Sequence, residues 1–315
     1  MSSVVVTGIG MITPLGATAR ECAEAWRAGR RAPRTRLTEL AGTRLANAEV
    51  AVLPQFDAGE RLGSRRMLKF MSEAAVLGCV AAREAAEDAH LKQRFPPERV
   101  GLYAATGMAA ASVQDVAPMI QQSIDETGRF SCRRLGERGL AVANPLLSFK
   151  ILANMPPCLV SILEGIKGPS FIFTPWEGQT GAALREAWRA VADGEVDCAL
   201  AGAADNPAHP ASFVYLSQVG LLRHGECPAP AAAYLVMERA ETARRDGRQV
   251  YARIATIEVA NGDGAPCDPL AERIGRTFAA APAVLLALAC CAGEGTVRIR
   301  GVDHEEFRAE LRPLA

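Results

Sequence analysis

Covalent acyl transfer needs a nucleophile with a base close by, so the nine cysteines and four histidines of this chain are the first residues to weigh. Cys79, Cys158, Cys198, Cys290 and Cys291 lie in apolar runs, the others singly in polar segments, and no C-x-x-C pair occurs. That distribution points to buried, reduced thiols and suggests neither a zinc site nor a redox pair. Cys158 follows Pro156-Pro157 in an apolar stretch with no histidine near it in sequence, which argues against a thiolase-like enzyme built on it. His209, His224 and His304 read as surface or loop residues. One acid stands apart: Glu177, in Thr174-Pro175-Trp176-Glu177-Gly178-Gln179, opens a stretch rich in alanine and glycine. The dipole at a helix start stabilises a carboxylate by ~0.3–1 kcal/mol. Burying an unpaired charge costs several kcal/mol, so the dipole alone does not suffice. Glu177 is therefore expected to be protonated, or to hydrogen-bond backbone N–H groups or a partner side chain.

The elements that must hold these residues alternate. Val4 to Gly10 reads as a buried strand and turn, Ala19 to Ala28 as a short helix, and Val100 to Thr106 as a strand. A helix is expected from about Ser64, with Met67, Phe70, Met71 and Ala74 forming one apolar stripe. A helical stretch after Gly107 reaches about Glu126, and Ser131 to Gly139 reads as a loop. Asn144-Pro145 opens a helix running to Leu163, which Pro156-Pro157 must kink or interrupt. Phe171-Ile172-Phe173 is a short strand, Gly178 to Ala192 a buried central helix, and Cys198 to Ala203 a buried strand. Strands are then expected at Tyr234 to Met237, Val250 to Val259, Ala283 to Cys291 and Thr296 to Ile299, with a helix over Pro269 to Ala279. Such alternation implies an α/β fold with helices covering sheets.

Composition narrows the partners. The chain has 315 residues, 49% of them hydrophobic, enough for one large core or two fused half-domains. Basic and acidic residues both number 35, so nothing points to nucleic acid or an anionic membrane surface. A near-neutral chain tends to associate, which suits a subunit that hides surface in a partner. No uncharged apolar stretch reaches membrane-spanning length, and no basic region precedes the N-terminal apolar run; the expected location is the cytoplasm.

Three stretches together resemble the β-ketoacyl synthase family of the thiolase superfamily. They are Val4 to Gly16, then Asn154-Met155-Pro156 with Gly165 to Phe171, then Ala201 to Ala204 with Leu216 to Leu222. The resemblance implies a thiolase-like layered α-β-α fold whose first half, residues 1–245, is complete and whose second half, 246–315, is strongly shortened. It also implies a nucleophilic cysteine on the first turn of the central helix, where N–H groups and the dipole favour a thiolate. Counting from Gly168, that position falls on Glu177, and no cysteine lies between Cys158 and Cys198. The two histidines of the family's His-Gly-Thr-Gly-Thr and Asn-Ser-Phe-Gly-Phe-Gly-Gly-His motifs are also missing.

Ketosynthase relatives without the cysteine resemble the chain-length factors of type II polyketide synthases, which often carry glutamine there. This implies a heterodimer with a catalytic ketosynthase in which Phe171, Ile172 and Phe173 pair across a pseudo-twofold axis. Acyl carrier protein is then reached through the complex, and no cofactor or metal is called for. Met108, Leu146 and Leu147 are the implied walls of the chain's tunnel, and Trp176 the plug of the vestigial pocket. The glutamate and short tail resemble partners in polyene-type systems more than aromatic ones. Two other readings stand beside this one: a malonyl-carrier-protein decarboxylase supplying a starter unit, and a purely structural scaffold.

Overall fold

In the computed structural model, which describes residues 2–108, 111–223, 225–293 and 295–313, the N-terminal run is strand β1 (Val4–Ile12), buried at all nine positions. Its glycines have a steric reason. A Cβ on Gly10 would stand 1.9 Å from the carbonyl oxygen of Ala81, and one on Gly8 2.3 Å from that of Ala85. The helix Glu73–Asp88 therefore lies directly on the strand, presenting Leu77, Val80 and a row of buried alanines. The same helix satisfies the strand's free edge: Asp88 accepts from the Ile9 N–H and Glu84 from the Met11 N–H, each at 3.0 Å.

Eight strands form one sheet in the order β5-β4-β6-β7-β1-β8-β10-β9. The others in it are β4 (Val100–Thr106), β5 (Ser170–Phe173), β6 (Cys198–Asp205), β7 (Ala231–Arg239), β8 (Ala252–Asn261), β9 (Gly295–Arg300) and β10 (Glu305–Arg312). Strands β2 (Arg34–Arg36) and β3 (Glu49–Ala51) make a separate ribbon. β4 runs parallel to β5 and β6, while the remaining pairs are antiparallel. Only Val4–Val6 pair with β8, so the sheet divides there into five strands and three. The central helix Glu177–Ala192 and the helix Ala281–Ala292 lie between the two parts, against β4, β6 and β7 on one side and β8, β9 and β10 on the other. Gly181 permits this, since a Cβ there would stand 3.0 Å from Val259 and 3.1 Å from Phe307. The layers are thus helix, sheet, helix, sheet, as the alternation of elements implied.

Several expectations need correction. The helix from Ser64 does not form: a 3-10 turn over Arg65–Phe70 stops at Met71, and Ser72, capping the Ala75 N–H, starts a new helix. Ser131–Gly139 is helical turns rather than loop, started by Ser131 accepting from the Arg134 N–H. Ala283–Cys291 is helix, not strand: Pro282 sits in the first turn and Gly293, at φ 86°, ends it. Pro269–Ala279 is turns, because Arg276 exchanges backbone hydrogen bonds with Cys227 and Ala229. β10 carries no apolar run in sequence, because the charged residues between Phe307, Ala309 and Leu311 mask their inward alternation. The proline doublet does interrupt its helix, giving Leu147–Ile151 and Met155–Glu164, with both prolines in the second helix's first turn.

Candidate functional site

Glu177 is the first residue of the central helix, preceded by Trp176 in extended backbone, and only 1% of it is exposed. One carboxylate oxygen faces the Arg276 guanidinium at 3.4 Å, and the other accepts from the Val302 N–H at 3.3 Å. Asp303, on the turn before β10, accepts from the Gly178 N–H at 2.9 Å and so caps the same helix end. Arg276 is itself buried, and also meets Glu226 at 3.1 Å and Asp268 at 3.4 Å. One buried guanidinium thus holds three carboxylates from three separate segments. Phe278, at φ +41°, lies under Arg276 at 4.8 Å and against Trp176 at 6.4 Å.

Burial dominates the electrostatics. It pushes the Glu177 carboxyl up to about 7 against the opposing pull of Arg276, and that of Asp268 up to about 6. Asp205, at the end of β6, is raised further by burial and by the charge of Glu177, and accepts from the Ala279 N–H at 3.2 Å. Gly107 passes it so closely that a Cβ there would lie 1.9 Å from the carboxyl. Glu177 does meet a backbone N–H and a partner side chain, and burial raises its carboxyl toward neutrality. Chemically, this helix tip is an ion cluster flanked by Phe278, with no thiol hydrogen-bonded into it among the described residues.

The histidines divide. His209 is not a surface residue: it is buried, its Nδ1 accepts from the Ala211 N–H at 3.3 Å to cap the helix Pro210–Gln218, and burial lowers its pKa. His304 is an exposed turn residue at φ +64°, its side chain outside the hydrogen bonds of the helix tip. His224 lies outside the described residues.

Of the implied tunnel residues, Met108 lines a cavity of about 210 Å³, with Met71, Thr106, Asp115, Lys150 and Leu152 among its neighbours. Leu146 and Leu147 are half-buried and do not line it, and Trp176 packs with Phe278 in a different cluster. Phe171 and Ile172 lie on β5, the sheet's edge, 51% and 41% exposed, and Phe171 stacks on Tyr103 at 5.4 Å. Phe173 is half-buried against the core. Val113, Phe130, Leu140, Phe149, Ile151 and Leu152 are exposed as well. The sequence did not disclose Arg276, Asp268 or Asp303. Arg276 fell in a stretch read as helix, and a buried cation leaves no local periodicity.

Residues 1–238 match the family model of the β-ketoacyl synthase N-terminal domain. The chain is 25% identical over 268 residues to 3-oxoacyl-(acyl-carrier-protein) synthase 2 of Synechocystis sp., covering 79% of this chain and 60% of that protein. It is 23% identical over 271 residues to the granaticin polyketide putative beta-ketoacyl synthase 1 of Streptomyces violaceoruber, covering 80% and 62%. Identity is 27% over 295 residues with the tetracenomycin polyketide synthase ketoacyl synthase beta subunit of Streptomyces glaucescens, covering 84% and 66%. The chain thus spans about three fifths of the first two relatives' length. Among solved structures, a chain of the ishigamide ketosynthase/chain length factor superposes with a TM-score of 0.77 at 16% identity, over 100% of both chains. A chain of AntDE:AntF, a type II ketosynthase bound to its acyl-carrier protein, gives 0.80 at 16% over 100% of both. These superpositions establish the thiolase-like α/β fold.

Proposed function

The chain belongs to the β-ketoacyl synthase family by its N-terminal domain, and we propose that within it this is a non-catalytic chain-length factor of a type II polyketide synthase. The observation that carries the reading is the helix tip. Glu177 stands there in place of a nucleophile, 1% exposed and paired with Arg276. A carboxylate so held cannot sustain thioester exchange. In this reading the chain works through its surface. The β5 edge, with Phe171, Ile172 and Phe173, meets a catalytic ketosynthase, and residue 245 separates a complete first half from a shortened second. Met108 stands at the wall that stops the partner's growing acyl chain, since a wall of fixed position ends elongation when the next unit must overpack it. Acyl carrier protein reaches the site through the partner.

The test is co-expression with each ketosynthase of the same genome, followed by product analysis. One-to-one co-purification, with Met108→Ala lengthening the product by at least one two-carbon unit, supports the reading. Unchanged product length in an intact complex favours a scaffold. Acetyl-carrier protein formed from malonyl-carrier protein by the lone chain would replace the reading with decarboxylation.

A further inference from the structure

The edge strand β5 has an acidic pocket on the side facing the central helix, and we infer that it receives an arginine side chain of the catalytic ketosynthase when that subunit meets the edge. The inference rests on the chain-length reading and names the chemistry by which its partner is recognised. The pocket, about 230 Å³, is lined by the rings of Tyr103, Phe171 and Phe173 and by the acids Glu186, Asp193 and Glu195.

Its polar groups lack a cation. Glu186 is already met by Arg185 at 3.0 Å and by Arg189 at 3.5 Å. Asp193, which ends the central helix, and Glu195, just before β6, make no ion pair among the described residues. Tyr103 is 3% exposed, yet its hydroxyl has no hydrogen-bond partner among the described residues and opens on the pocket. Burial first, and then the charges of Glu195 and Glu186, push it up to about 12, so it stays protonated beside those acids with its oxygen free to accept.

Shape selects the cation. The acids do not converge on one point: no group of His, Cys, Asp and Glu among the described residues could hold a metal ion. Tyr103 and Phe171 stack at 5.4 Å, and Phe171 is 51% exposed, which leaves a ring face open to a planar cation. A guanidinium lies flat on such a ring, forks toward carboxylates and still donates to the tyrosine oxygen, whereas an ammonium is a compact point charge.

The cation has to come from a different subunit. β5 is bonded only to β4, so its other edge is free to take a strand. The pocket lies where β5 and β6 begin, since Glu195 precedes Cys198, which pairs with Val100 at the start of β4. A second copy added antiparallel would bring the far end of its own β5 there, Thr174 to Glu177, and Gly168 to Gln179 holds no lysine or arginine. Self-pairing thus sets an acid against acids.

Two measurements test this. The full chain, carrying 3-fluorotyrosine at its four tyrosines, is titrated with ethylguanidinium or neutral ethylurea, the Tyr103 fluorine signal being assigned by Tyr103→Phe. Ethylguanidinium should shift that signal saturably and ethylurea should not. Asp193→Asn with Glu195→Gln, both at exposed positions, should abolish the shift. The same double variant should weaken binding to the co-purifying ketosynthase at least about tenfold at low salt. No Tyr103 shift with ethylguanidinium, an equal shift with ethylurea, or a ketosynthase affinity unmoved by the double variant would overturn the inference. Failure of the chain-length reading shows separately: Met108→Ala would leave product length unchanged in a complex that still depends on both acids.

Discussion

Replacing Glu177 by glutamine should stabilise the protein above neutrality and do nothing in acid. In the folded chain burial raises the carboxyl from its ordinary 4.5 to about 7, so the folded state binds the proton more tightly than the unfolded chain. The stability this contributes is fully present below about pH 4.5 and is lost as pH rises through about 7. A gap of roughly two and a half pH units corresponds to about 3 kcal/mol, an order-of-magnitude figure. Glutamine keeps the shape and can still accept from the Val302 N–H, and the pull of Arg276 on the carboxylate is already contained in the raised pKa. The net expectation is therefore about 3 kcal/mol in favour of Glu177→Gln above pH 7, shrinking toward zero in acid. Relief of Asp205, which feels the charge of Glu177, adds in the same direction. Equilibrium denaturation of both proteins from about pH 5 to about pH 8 measures the difference. A difference that stays flat with pH, or a variant less stable at the alkaline end, would refute the burial argument.

Further outcomes follow from single contacts. Gly10→Ala places a methyl 1.9 Å from the Ala81 oxygen and should cost about 3 kcal/mol or more, read from the denaturation midpoint. Asp303→Ala removes the acceptor for the Gly178 N–H and should cost about 1 kcal/mol in the same measurement. Ile172→Asp, on the exposed edge of β5, should change the chain's own stability by no more than about 0.5 kcal/mol. The same substitution should abolish co-purification with a catalytic ketosynthase; retained one-to-one binding would move the interface elsewhere.

The sequence by itself determined what local pattern and residue identity can carry. β1 and β6 are apolar on both faces and read as buried strands, and the small residues of Gly178 to Ala192 mark a helix packed on two sides. The absence of any cysteine between Cys158 and Cys198 is likewise a matter of identity, visible without any fold. Pattern failed where two structures share it: Ala283 to Cys291 is uniformly apolar, and only its place between two sheets, with Pro282 at its start, makes it helix. β10 failed for the opposite reason, since its charged face is stabilised across the sheet, where Arg298, Arg300 and Arg308 surround Glu306 and hold its carboxyl down at about 2. Only the tertiary structure decided the chemistry of the helix tip. Glu177 and Arg276 are 99 residues apart, and Asp303 and Val302 come from farther still. A buried charge takes its partners from whatever the fold brings within reach, and no spacing along the chain encodes that choice.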